Sequence, residues 1–156
     1  MTEKNFEREI LVSASPQAAY SALTTDFDKW WAPFKGDASK IGNRITFQFA
    51  PDPTFWTMQI TKLVPNQMVE LECIEANHII EGLSESIKEE WLGTKLKWEI
   101  KPNQEGVEVS FVHEGLTPTL ECYEICETGW ENFFVNSLQD YLNGKGGSPV
   151  KAYSVN

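Results

Sequence analysis

Cysteine is scarce: three in 156 residues, with no C-x-x-C pair. That excludes a disulfide-built scaffold and matches no zinc-finger template. Cys122 and Cys126 stand four apart and would share a helix face, where a bridge within one turn has poor geometry, so both are read as free thiols. Positive charge is short as well. Thirteen Lys and Arg face 23 Asp and Glu, for a formal charge of -10. With no basic stripe, nucleic acid and anionic lipid are excluded as partners. No apolar run reaches about 18 residues, and "MTEKNFEREILVSASP" lacks the long apolar region of a signal peptide. The expectation is a cytoplasmic protein with no membrane association. GxGxxG, P-loop and GxSxG motifs are also missing, so no nucleotide or other cofactor is expected.

Aromatic rings, by contrast, are plentiful: six Trp and nine Phe, within a composition 41% hydrophobic and 23% charged. One domain over 1–156, with an ordered core at about 5–145, is long enough to bury a sizeable core without staples. Phe6–Val12 reads as a strand. Ser15 then caps a short helix from Pro16 to about Leu23, and "TTDFDKWWAPF" holds a second helical turn ended by Pro33. From Gly42 the period becomes two. Ile45, Phe47 and Phe49, then Trp56, Met58 and Ile60, then Val69, Leu71 and Cys73 alternate with polar residues across turn segments, predicting an antiparallel meander. Leu96, Trp98 and Ile100 with Val107, Val109, Phe111 and His113 predict a last hairpin. The stretch 75–93 is polar and mixed and allows either a strand near Glu89–Leu92 or a loop.

A long amphipathic helix is expected from Pro118, capped by Thr117, to Asn143, stopped by Gly144, with the tail after Gly146 frayed. Gly129 in its middle suggests a close approach, a clash or a bend.

The run "FVHEGLTPTLECYEICETGWENFFVNSLQDYLNGKGGSP", with "EREILVSASPQAAYSALT", "WW" and "EEWLGTKLKWEI" in order before it, resembles the heat-shock-protein-ninety ATPase activator homologue family of the START-like (SRPBCC) superfamily. The resemblance spans nearly the whole chain. It implies an α+β helix-grip fold, in which a curved antiparallel sheet wraps a long C-terminal helix and leaves a cavity between them. It brings no catalytic motif, and superfamily relatives carry lipids, sterols or hormones or cyclise polyketides, so activity does not follow from fold.

The candidate ligand-binding residues are Trp56, Met58, Trp98, Phe111, His113, Tyr123, Trp130, Phe133 and Phe134: flat rings and a thioether able to line an apolar cavity, with His113, Tyr123 and the indole N–H groups of Trp98 or Trp130 to orient an occupant. The same stripe also suits a filled core. His113 is open to two readings, a proton carrier or a satisfied structural histidine, and His78 carries less signal. A metal set of His113, Cys122 and Cys126 fits no template, so no metal is expected, and no catalytic residue is assigned. Glu89 with Glu90 and Glu7 with Glu9 read as solvated. The pair Trp30 and Trp31 is read as a surface pair, on a cavity rim or at a dimer contact.

Three functions follow. The leading one is non-catalytic binding of a small, largely hydrophobic ligand. The others are contact with a chaperone, as the family name suggests, and a cyclase- or hydrolase-like enzyme using His113 or an inward acid. A monomer or a homodimer is expected.

Overall fold

The computed structural model describes residues 4–49, 53–80 and 82–150. Seven strands form one antiparallel sheet: β1 (Phe6–Val12), β2 (Phe34–Gly36), β3 (Arg44–Gln48), β4 (Phe55–Val64), β5 (Met68–Asn77), β6 (Lys95–Asn103) and β7 (Gly106–Glu114), in the order β1-β7-β6-β5-β4-β3-β2. Strands β2 to β7 are thus a meander, and β1 closes on β7 with Phe6 opposite His113 and Ile10 opposite Val109. The two-residue period works as expected: in β7 Val107, Val109, Phe111 and His113 are buried and the residues between them half-buried. Register shifts between β4 and β5 bend the sheet, and there Trp56, Thr57 and Met58 are all buried in succession.

Between β1 and β2 lie α1 (Pro16–Ala22), capped by the Ser15 hydroxyl accepting from the Ala18 N–H at 3.0 Å, and a 3-10 turn, Phe27–Lys29. Trp30 and Trp31 follow it and are not at the surface. They are 0% and 2% exposed, with the Trp30 indole donating to the Ala22 carbonyl at 2.7 Å. Short β2 had no pattern to announce it; it pairs with β3 as an edge strand.

The C-terminal helix runs as α2 (Tyr123–Trp130), a π-helical segment (Glu131–Leu138) and α3 (Gln139–Leu142). It lies in the curve of the sheet, burying Cys126, Trp130, Phe134, Ser137, Leu138 and Leu142. This is the α+β helix-grip architecture. The helix begins at Tyr123 and not at Pro118, because the Thr117 hydroxyl pairs with that of Thr119 and the helix start is capped from outside: the Glu90 carboxylate accepts from the N–H groups of Glu121 and Cys122 at 2.9 and 3.0 Å. Glu90 is therefore not simply solvated. Gly144 ends the helix at φ +82, as a left-handed stop requires.

Beyond it the chain is tied down as far as it is described. Ser137 donates to the Trp30 carbonyl and accepts from the Ser148 N–H, both at 2.7 Å, and the Val150 N–H reaches the Trp31 carbonyl at 2.7 Å. The remainder of the tail, 151–156, lies outside the described residues.

The stretch 75–93 carries no strand at Glu89–Leu92. Strand β5 runs on to Asn77, and the chain then forms a loop with a 3-10 turn at Glu85–Glu89. The loop is closed by its own backbone, His78 N–H to the Lys88 carbonyl at 3.0 Å, and pinned to the helix start, where the Glu121 carboxylate takes both the Ser84 hydroxyl and N–H. Trp91, at its end, is buried.

Candidate functional site

The space beneath the helix is part filled and part hollow. At the Phe111 level it is packed: Phe111 stacks on Trp98 at 5.0 Å and meets Phe134 at 5.1 Å, with Met58 fully buried in the same core. Toward the first turns of the helix a cavity of about 200 Å³ opens, walled by Trp31, Trp56, His78, Trp91, Gly129 and Trp130, with Phe49, Ile79, Ile125 and Phe133 nearer its edge. Ile79 and Ile125 are among the exposed large apolar side chains, so apolar surface continues from the cavity outward.

Three tryptophans make one wall. Trp91 lies between Trp56, at 4.2 Å, and Trp130, at 5.9 Å, each pair inclined by 19°. They arrive from β4, from the loop after the 3-10 turn, and from α2, so the wall exists only once the sheet, loop and helix have assembled.

Behind Trp130 sits His113. The Trp130 indole N–H donates to His113 Nδ1 at 3.0 Å, and since an indole can only donate, the imidazole proton is on Nε2. That nitrogen faces the Thr94 hydroxyl at 2.9 Å, which in turn donates to the Trp91 carbonyl at 2.6 Å. The chain of donors is complete. Burial without a countercharge depresses the His113 pKa from 6.5 to about 3, so the ring is neutral at physiological pH. Of the two readings of His113, the geometry matches the satisfied structural histidine, since both ring nitrogens have partners. Gly115 makes room for the arrangement: at φ +102, a side chain there would meet the Thr94 methyl at 2.6 Å.

Of the nine candidate ligand-binding residues, Trp56, Trp130 and Phe133 line the cavity. Met58, Trp98, Phe111 and Phe134 lie in the filled core, His113 supports Trp130 from behind, and Tyr123 is half-buried at the helix start. The indole of Trp130 is spent on His113. Among the described residues, buried side-chain polar atoms without a partner include Nε1 of Trp56, Nδ1 of His78 and Nε1 of Trp98, and Trp56 and His78 are cavity residues.

Sequence reasoning passed over Trp91 and left Trp31, which it allowed on a cavity rim, His78 and Gly129 outside the ligand-binding set. "WW" and "EEWLG" each placed a tryptophan after a turn, which was the available signal for the first two. Gly129 carries a correction: neither clash nor close packing explains it, since an added Cβ would meet no heavy atom within 4 Å. It faces the cavity. His78, Cys122 and Cys126 also come together, and His113 is replaced by His78 in any grouping with the two thiols. The Cys122 thiol is pushed up by its contact with the Cys126 thiol and by burial, and burial pushes Cys73 up to about 12.

The family model described as "Activator of Hsp90 ATPase homolog 1-like protein" matches residues 13–143. The chain belongs to that family. Among solved structures, the activator homologue of Colwellia psychrerythraea, determined in solution as a dimer, is 28% identical over 91% of this chain and 98% of its own, with a TM-score of 0.71. A protein from Mesorhizobium loti is 17% identical (85% of this chain, 92% of that one, TM-score 0.68), and one from Chromobacterium violaceum is 18% identical (90% and 99%, TM-score 0.64). These two establish likeness of fold alone. No curated protein matches the chain. Among the described residues, no helix of this family member is long and apolar enough to cross a membrane.

Proposed function

We propose that the protein binds a compact, largely apolar molecule in the cavity between the loop after β5 and the first half of the C-terminal helix. The observation that carries this reading is the tryptophan-walled hollow of about 200 Å³ beneath the helix. The hollow is open at its outer side, where exposed Ile79 and Ile125 stand, and its apolar walls gain from an occupant the burial and dispersion contacts that water does not supply. Its volume is below the roughly 300–1,000 Å³ of pockets for drug-sized ligands, which favours an occupant of one ring or a short branched chain. The unpartnered Nε1 of Trp56 would orient one polar group.

Native mass spectrometry of freshly purified protein, followed by organic extraction, tests the proposal. A discrete, extractable adduct supports it. An apo mass, together with no change in tryptophan fluorescence on titrating monocyclic aromatics and short branched acids, would defeat it.

The dimeric Colwellia psychrerythraea relative favours self-association as a second reading and the family's description raises chaperone contact, and for either Leu11, Ile41, Leu92 and Ile125 offer exposed apolar side chains. Light scattering across a dilution series, and a pull-down with the chaperone named by the family, test it. A monomer that captures no chaperone removes it.

A further inference from the structure

We propose that His78, Cys122 and Cys126 form a binding site for a thiophilic d10 cation, Zn²⁺ or Cu⁺. Each residue offers one ligand atom, the three atoms lie within 4.8 Å of one another, and all three residues are buried. No other group of this kind occurs among the described residues. The sulfurs stand 2.9 Å apart, and His78, 7% exposed, keeps Nδ1 buried and unpartnered. An imidazole nitrogen without a partner in so apolar a place is costly unless something fills its lone pair or takes its proton.

The donor set selects the ion. Two sulfurs and an imidazole suit Zn²⁺ or Cu⁺ and disfavour Mg²⁺ and Ca²⁺, which need oxygen. Each thiol gives its proton to solvent as its metal–sulfur bond forms; two thiolates then neutralise Zn²⁺, so that buried unit carries no net charge, whereas with Cu⁺ the same two thiolates leave a single negative charge. Supporting contacts exist. The Trp91 indole donates to Cys126 Sγ at 3.3 Å, and Glu90 fixes the backbone at Cys122 through its N–H.

Three protein donors leave a coordination position free, as in zinc sites that take water or substrate. His78 and Cys126 are also walls of the cavity, so an ion held by them would lie beside it. The metal site stands without any apolar ligand, and either proposal can fail alone.

The test uses the full chain, reduced and stripped with chelator. Zn²⁺ alone is titrated against a chromophoric competitor, Co²⁺ serves as its spectroscopic stand-in, and Cu⁺ is titrated against a copper(I) chelator. One equivalent of ion, thiolate-to-cobalt charge-transfer absorption and a raised Tm are expected, with binding at least tenfold weaker in a Cys122→Ser/Cys126→Ser variant whose near-UV circular dichroism is native. The tighter of the two arms names the ion. Binding of neither ion, or binding that survives the double substitution, overturns the site. If the double variant does not fold, X-ray absorption on the metallated wild type decides: two sulfur neighbours and one nitrogen support the site, and an oxygen-only shell overturns it.

Discussion

Trp130 donates its indole proton to His113 Nδ1 across 3.0 Å, joining the cavity wall to a strand histidine with no exposure to solvent. The bond requires the neutral ring, and the surroundings, Trp91, Phe111, Trp130 and the Thr94 hydroxyl, supply no charge to hold a proton.

The helix grip should therefore loosen in mild acid. The folded pKa of His113, about 3, lies below the 6.5 of the free side chain, so the unfolded chain takes up a proton that the folded chain refuses. Its stabilising contribution is complete above about pH 6.5 and drains away as pH falls toward 3, at up to about 1.4 kcal/mol per pH unit. Carboxylates held below their usual range, Glu85, Glu114 and Glu121, lose their contributions only below 4.5, while Glu9, raised by Glu108, acts with the opposite sign. The difference between wild type and His113→Gln isolates the histidine. Urea midpoints from pH 7 to 4.5 should fall more steeply for wild type, and parallel curves would show that the ring carries its proton when folded.

Gly129 separates an empty space from a crowded one. Alanine there adds a methyl where no heavy atom lies within 4 Å and relieves a helix-interior glycine, a gain of about 1 kcal/mol. Gly129→Ala should raise Tm. Gly129→Leu should fold and yet lose binding of monocyclic aromatics, read as the loss of the fluorescence response from Trp31, Trp56, Trp91 and Trp130 around the cavity. Unchanged probe binding by the leucine variant would move the ligand elsewhere.

What the sequence made readable was whatever depends on a local period. Inward Ile45, Phe47, Met58, Leu71, Trp98 and Phe111 are fixed by alternation, and the first helix by Ser15 and Pro16. The site escaped because it is built from residues whose neighbours in space are far away in the chain. Trp91 and His78 sit in a polar stretch with no period, held by Glu90, Glu121 and Ser84 reaching between the loop and the helix start. The same reach explains the misplaced helix start, since a cap supplied from 31 residues away leaves no local mark. Even the filled and hollow parts of the core look alike in sequence, for Phe111 and Trp56 both occupy inward positions and only one meets a void.

Ser137 holds the π-helical segment to the chain around it. Its hydroxyl satisfies the Trp30 carbonyl and the Ser148 N–H at once, both at 2.7 Å in a buried setting. Ser137→Ala strands both groups, at a cost of about 1–3 kcal/mol. The expected readout is a Tm several degrees lower, with faster amide exchange at Ser148. A neutral substitution would mean that water takes the place of the hydroxyl.

Glu90 ties two parts of the site together through the helix start. Its carboxylate accepts from the Glu121 and Cys122 N–H groups, which have no intrahelical partners, and its negative charge sits at the positive end of the helix dipole. Removing the side chain in Glu90→Ala should cost about 1–2 kcal/mol, the range of a lost N-cap, while Glu90→Gln keeps one acceptor and should lose roughly half of that. The contacts also place Trp91, the next residue, against Cys126, so the alanine variant should weaken probe binding as well as stability. Amide exchange at Cys122 separates the causes. Faster exchange in both variants, ordered Ala over Gln, follows from a lost cap, whereas equal protection in wild type and Glu90→Ala would mean that the helix start is held by the Ser84–Glu121 contacts alone.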